Sequence, residues 1–230
     1  MVPAFVPRSR SSAGSRRVEP SRRRETADRA VAAILDAAEE VALREGFGKL
    51  SLQAVAREVG LSKGGLLHHF PSKDALIDAL VRRVVDGWVA DTEEAIAATG
   101  AGPGRLPRAC IGMCLSSTGA FTETIRRSSV VLLAALLHDR RHVEPLREAH
   151  RALAARVGRD GLRPGVGEAV QLAIDGFWFN RIFELTEWSG PRLAAVRRAL
   201  EGFIEAGASE SRRPARPRAS SARRTGPGAG

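Results

Sequence analysis

From residue 26 to residue 206 the apolar positions recur at intervals of three and four, the period of an α-helix, and no run carries a strong strand pattern. Thr26–Glu45 reads as a first helix with Val31, Ile34, Leu35, Ala38, Val41 and Ala42 on its inner face, closed by Gly46. Ser51 is the expected N-cap of a short second helix in which Leu52, Val55, Ala56 and Val59 share a face, and Gly60 closes it. An equally short third helix starts at Ser62-Lys63 and stops at Pro71. Ser72 caps a long fourth helix that carries Leu76, Leu80, Val84 and Trp88 towards Thr99. "GAGPGRLP" at 100–107 is a break. Beyond it, Leu106, Cys110, Cys114 and Phe121 mark a fifth helix, and "VVLLAALL" at 130–137, apolar all round, predicts a central sixth. Leu146, Leu153 and Val157 mark a seventh, Val166–Trp188 an eighth, and a ninth follows Pro191 to about Ala206. The expected fold is all-α with about nine helices: a three-helix head on a larger helical body.

Composition adds the ends. Residues 1–25 and 207–230 are rich in Ser, Pro, Gly, Ala and Arg, lack apolar periodicity and carry a net charge of +5 each, the whole of the chain's +10. Segments of this kind cannot offset their ordering entropy, so both are expected to be disordered basic tails. The domain organisation is then a tail at 1–25, a head at 26–72, a body at 73–206 and a tail at 207–230. "MVPAFVPRSR" has no continuous apolar stretch of signal-peptide length, and the eight-residue run at 130–137 is too short to span a bilayer. Cys110 and Cys114 imply no disulfide framework. A soluble, cytoplasmic protein with no membrane partner is expected.

The head carries the most specific chemistry. Two short helices joined by Gly60-Leu61-Ser62 have the dimensions of a helix-turn-helix, whose tight turn needs a glycine. Ala56 is small where the helices cross, and Val55, Val59, Leu61 and Leu66 are expected to fill their shared core. Gly64 and Gly65 then occupy the first turn of the recognition helix, the end that enters a major groove and meets base edges and phosphates. Lys63 adds a cation there, and the missing side chains let backbone approach backbone. The head itself is not basic, with six Lys or Arg against eight Asp or Glu between 26 and 80. Arg22-Arg23-Arg24, just ahead of it, is a candidate minor-groove arm or a solubilising segment.

"SLQAVAREVGLSKGGLLHHFPSKDALI" resembles the DNA-binding segment of the tetracycline-repressor (TetR) family of bacterial transcription regulators, and the resemblance spans about 26–80. More faintly, "LAIDGFWFNRIFEL" resembles a C-terminal segment of some members. The resemblance implies a homodimer on a palindromic operator in double-stranded DNA, a small-molecule effector in the body and, usually, repression. It places Ser51 and Gln53 near phosphate, Ser62, Lys63, Gly64 and Gly65 at the groove, His68 and His69 beside the backbone, and Lys73 on phosphate. Gly65 and Leu67 stand where many members carry Thr or Asn and Tyr, so one base contact and one phosphate contact of those members are missing.

The last two helices are apolar on more than one face through Ile174, Phe177, Ile182 and Leu185, then Val196, Leu200 and Phe203. In the resembled family this pair packs against its twin, so these are the dimer candidates. Pocket candidates are Trp88, Met113, Phe121 and Trp178, with Phe179 and Phe183, while Asn180 and Arg181 are polar groups placed to orient a ligand. Cys110 and Cys114 share a helix face and suit ordinary core, thiol sensing or a soft metal; His138 and His142, four apart, could bind metal if the sixth helix continues through "HDRRH", a weak signal with no obvious third ligand. There is no glycine-rich phosphate loop after a strand, no zinc-ligand motif and no nucleophile with a local signature, so no enzyme, cofactor or metal is expected. The reading is a sequence-specific DNA-binding transcriptional regulator, a ligand-released repressor. Its alternative is a dimeric regulator with no small-molecule ligand.

Overall fold

The computed structural model describes residues 20–115 and 119–211, with the side chains of all but 20–24, 119–122, 124, 125 and 209–211. The elements are α1 (Pro20–Glu45), a 3-10 turn (Phe47–Lys49), α2 (Leu52–Val59), α3 (Lys63–His69), α4 (Lys73–Ala98), α5 (Arg105–Cys114), α6 (Gly119–His138), a 3-10 turn (Arg140–Val143), α7 (Glu144–Val157), α8 (Val166–Ile182) and α9 (Gly190–Ser211). Nine α-helices and no strand are present among the described residues, as the apolar periodicity predicts. The described residues divide into two compact units between Leu76 and Ile77, within the first turns of α4.

The first unit is built by α1 packing on α2 and α2 on α3. Its core holds Ile34, Leu35, Ala38, Val41 and Ala42 of α1, with Leu50, Val55, Ala56, Leu66, Phe70 and Leu76. Two expected core members differ: Val59 is half-buried and Leu61 is 38% exposed, because the turn carries Leu61 past the helix crossing. α1 also starts at Pro20 rather than Thr26, a proline at the first helical position being preset for helix.

The second unit centres on Leu106, Cys110, Ile111 and Cys114 of α5, Leu153 and Val157 of α7, Val170, Ile174 and Phe177 of α8, and Leu193 and Ile204 of α9. α5 is fastened by Asp160, whose carboxylate accepts from the Leu106 N–H at 2.8 Å while its carbonyl accepts from the Gly104 N–H at 2.9 Å. Gly104 has φ 77, and a Cβ there would meet Ile204 Cγ2 at 2.5 Å, so both its conformation and its contact with α9 require glycine.

Several boundaries moved. Phe121 falls in α6, not the fifth helix, and its side chain lies outside the described residues. α6 is not enclosed: Val131, Ala134 and Ala135 are buried on one face, while Leu133 and Leu136 are exposed and Leu137 is 86% exposed. α6 stops at His138, where Asp139 caps the following 3-10 turn through the Arg141 N–H, so the helix does not continue through "HDRRH". His142 is buried with Nδ1 2.6 Å from Asp78 Oδ1, and its ring stacks on His138 at 5.6 Å. α9 runs on to Ser211, five residues past Ala206, held by Gly207, whose carbonyl accepts from Arg163 and whose missing Cβ makes room for Val166. Residues 20–25 and 207–211 are thus helical where tails were expected; residues 1–19 and 212–230 lie outside the described residues.

α8 ends at Ile182, six residues before Trp188. Glu184 takes φ 50, and the Leu185 N–H closes back on the Asn180 carbonyl at 3.1 Å, which is the long bond of a Schellman stop. A non-glycine residue in this left-handed conformation costs about 1–2 kcal/mol, partly offset by the greater unfolded-chain freedom of glycine. Glu184→Gly is therefore expected to stabilise the fold by about 0.5–1 kcal/mol, read as a higher denaturation midpoint at unchanged slope. A lower midpoint would mean that the Glu184 side chain matters more than its backbone.

Candidate nucleic-acid interface

The helix-turn-helix is assembled by three serine caps. Ser51 Oγ accepts from the Ala54 N–H at 3.1 Å, Ser62 Oγ from Gly65 at 3.0 Å and Ser72 Oγ from Ala75 at 3.1 Å, setting the starts of α2, α3 and α4. Gly60 takes φ 75, and the Leu61 N–H returns to the Ala56 carbonyl at 2.8 Å, so the turn folds back by the route only glycine takes without strain. Buried Ala56 and Leu66 then join α2 to α3.

This construction leaves the first turn of α3 facing outward. Ser62, Lys63 and Gly64 are exposed and Gly65 is half-buried. The Lys63 and Gly64 N–H groups have no acceptor among the described residues, because Ser62 takes only the Gly65 N–H with its side chain and the Leu66 N–H with its carbonyl. Gly64 has ordinary helical backbone, and a Cβ added there would meet nothing within 4 Å. No described residue requires glycine at this position, although it costs helix stability. At Gly65 a Cβ would touch Ser62 Oγ at 3.4 Å, an ordinary contact.

The other predicted contact residues lie on the same unit. Ser51 and Gln53 are exposed at the start of α2, with the Ser51 oxygen already occupied as a cap. His68 is exposed and His69 half-buried, their rings edge-to-face at 5.5 Å. Lys73 opens α4 with its Nζ 5.6 Å from the Phe47 ring centroid, which fixes the direction of the cation. Lys63 forms no hydrogen bond or ion pair among the described residues. Arg44, by contrast, is taken up by Glu58 at 2.7 and 3.1 Å and by Glu45 at 3.1 Å. That pairing lowers the Glu58 carboxyl below its usual range through the Arg44 hydrogen bonds, and removes one cation and two anions from the head's balance.

Residues 34–80 match the family model "Bacterial regulatory proteins, tetR family", and residues 104–205 match "Tetracyclin repressor-like, C-terminal domain". The chain belongs to the tetR family. It is 43% identical over 58 residues to the HTH-type transcriptional regulator RutR of Escherichia coli K12, a match covering 25% of this chain and 27% of that protein. The chain thus spans about a quarter of the length of the curated relatives it matches. A transcriptional regulator from Rhodococcus sp. Rha1 shares the fold at a TM-score of 0.61 and 20% identity, over 78% of this chain and 96% of that one. So does the multidrug binding protein EbrR complexed with malachite green, at 0.55 and 24%, over 76% and 97%. TetR-family proteins are DNA-binding transcription regulators, and this chain carries their helix-turn-helix head.

The candidates of the TetR body separate into inner and outer residues. Ile174 and Phe177 are buried in the chain's own core, and Val196 and Leu200 are half-buried against it. Ile182 is half-buried, while Leu185 (59%) and Phe203 (42%) are exposed. The outer face of α8 is carried instead by Leu172 at 71% exposure, Phe179 and Phe183, with the two phenyl rings 4.6 Å apart. Phe179 and Phe183 therefore face out rather than lining an interior pocket. The spacing of these three is readable in the sequence, but the inner face of α8 is equally apolar and masks it.

Of the pocket candidates, Trp88 and Met113 pack against the core, and Trp88 stacks on His150 at 4.8 Å. Trp178, Asn180 and Arg181 are half-buried, with Asn180 Nδ2 donating to the Gly176 carbonyl at 3.0 Å. Cys110 and Cys114 are core residues; burial pushes their thiols up to about 11 and about 12. Neither forms thiolate at neutral pH, so the native protein is expected to resist iodoacetamide at pH 8 and to take up two equivalents only when denatured. Rapid labelling of the folded protein would restore thiol sensing as a role.

Proposed function

We propose that the chain is a ligand-released repressor that binds a palindromic operator as a homodimer, reading it through the first turn of α3. The observation that carries the DNA reading is Gly64: exposed, unstrained and with open space where its Cβ would be, beside Lys63 and two N–H groups that have no acceptor among the described residues. That combination suits close approach of a duplex backbone or base edge. Ser51, Gln53, Ser62, Gly65, His68, His69 and Lys73 flank it as phosphate and groove contacts.

The exposed stripe Leu172, Phe179 and Phe183, with Leu185 and Phe203, supports pairing of α8 and α9 with a second copy, since monomers rarely leave so many large apolar side chains in water. Two-fold pairing also matches a palindrome. An interior effector site in the body, near Trp88, Met113, Trp178, Asn180 and Arg181, is supported by the likeness in fold to EbrR, which was captured with malachite green. The release step needs an element that both units share. α4 runs unbroken from Lys73, at the head, to Ala98, so a ligand that shifts its distal part changes the separation of two recognition helices.

The test is a titration of a selected palindromic duplex, read by anisotropy at near-physiological salt. Two chains per duplex are expected. Compounds that raise the melting temperature of the protein should lower operator affinity at least tenfold; equal affinity with and without such a compound would contradict release.

A further inference from the structure

The break at 100–107 has a structure of its own. Gly100, Ala101, Gly102 and Pro103 line a cavity of about 450 Å³ together with Arg105 and Arg108 of α5 and Glu205 and Ala208 of α9. Its walls are held firmly. Asp160 ties down both Gly104 and Leu106, Gly104 abuts Ile204, and Arg163 is bonded to Gly207. All of this belongs to the second unit.

Its polar groups are incompletely satisfied. Arg108 Nη1 is fully buried, and among the described residues it has no hydrogen-bond partner and the Arg108 side chain forms no ion pair. Arg105 donates Nε to the Thr99 carbonyl at 3.0 Å, which orients the guanidinium and leaves its terminal nitrogens unused by described residues. The N–H groups of Gly100, Ala101 and Gly102 are likewise not bonded to described acceptors. The one acidic side chain that fastens α5, Asp160, is committed to backbone. Nη1 is itself sealed from the cavity, so an anion there would meet the Arg108 guanidinium through its remaining nitrogens, and partial burial of that charge favours an anionic neighbour. Two arginines and the loop residues 100–102 line the same cavity, and the planar arginine fork suits the two oxygens of a carboxylate or phosphate.

We propose that this cavity is a binding site for a small anion, a carboxylate or a phosphate, held by Arg108 and Arg105 at the α4–α5 loop and bounded by α9. It is separate from the interior effector site proposed above, and anion binding here does not depend on the DNA reading.

The test uses the full-length protein and calorimetry at constant ionic strength, with inorganic phosphate and succinate as separate probes. At least one is expected to bind saturably, once per chain, and which one does so distinguishes the two chemistries. Arg108→Gln should weaken that binding at least tenfold, Arg105→Gln several-fold, and Glu205→Gln should leave it equal or tighter. The arginine-rich ends of the chain are intact in all three, so anion uptake there would be unchanged across the series. Arg108→Met should also melt no lower than wild type without anion, because no described residue pairs with the buried nitrogen. Absence of saturable binding by both probes, or equal binding by Arg108→Gln and Arg105→Gln, would overturn the proposal and leave Arg108 a solvated structural residue.

Discussion

Gly64→Met is expected to leave the protein at least as stable as wild type and to lower operator affinity by roughly a hundredfold. The stability half follows from the geometry. The position is helical, its Cβ would meet nothing within 4 Å, and methionine is a far better helix former than glycine, by about 1 kcal/mol in a helix interior and less in a first turn. The affinity half follows from the role proposed for the open space. A long side chain there holds the duplex away from the Lys63 and Gly64 N–H groups. Losing a first-turn contact and its neighbours costs about 3 kcal/mol, a factor of about 100. Gly64→Ala should fall between, with a stability gain and a smaller affinity loss. The pairing of the two readouts matters, since a destabilised head would also bind poorly. Retained operator affinity in Gly64→Met, with the melting temperature unchanged or raised, would remove the first turn of α3 from the interface.

Phe179→Glu is expected to convert a dimer into a folded monomer and, with it, to reduce operator binding to the level of single half-sites. Phe179 is 54% exposed in the chain, so the change should move the circular dichroism spectrum and melting midpoint little. In a two-fold interface the same substitution appears twice, and each copy would bury a carboxylate against the apolar stripe of the other. Several kcal/mol per charge is enough to undo an interface of ordinary size. Sedimentation at micromolar concentration should show a dimer for wild type and a monomer for the variant. Ile174→Ala is the contrasting substitution: Ile174 is 4% exposed inside the chain's own core, so its loss should cost about 2–5 kcal/mol of stability in either state. A Phe179→Glu protein that sediments as a dimer would move the interface to another surface.

The head was legible because its signals are local. A serine before each short helix, a glycine where the chain must take positive φ, and a small residue at the crossing each follow from backbone geometry within a few positions. Gly60, Ser51, Ser62 and Ser72 do what their residue types predict. The body was less legible because its information is not local. α8 is apolar on more than one face, so the period alone could not say which of Ile174 and Phe177 or Leu172, Phe179 and Phe183 would face inward; that was decided by where α5, α7 and α9 pack. The end of α8 carried no proline or glycine, and the chain stops there by placing Glu184 in a conformation that its residue type disfavours. The Arg105–Arg108 cavity was visible only as a loop signal in "GAGPGRLP", because Glu205 lies some hundred residues away and is brought there by α9.

The most direct measurement is selection of bound duplexes from a random pool at near-physiological salt, with wild type, Lys63→Ala and Gly64→Met run in parallel. A palindromic motif enriched by wild type, weakened by Lys63→Ala and lost with Gly64→Met, is the predicted result. Salt-sensitive enrichment of duplexes without a motif, equal in all three proteins, would contradict it and assign the binding to the arginine-rich ends of the chain.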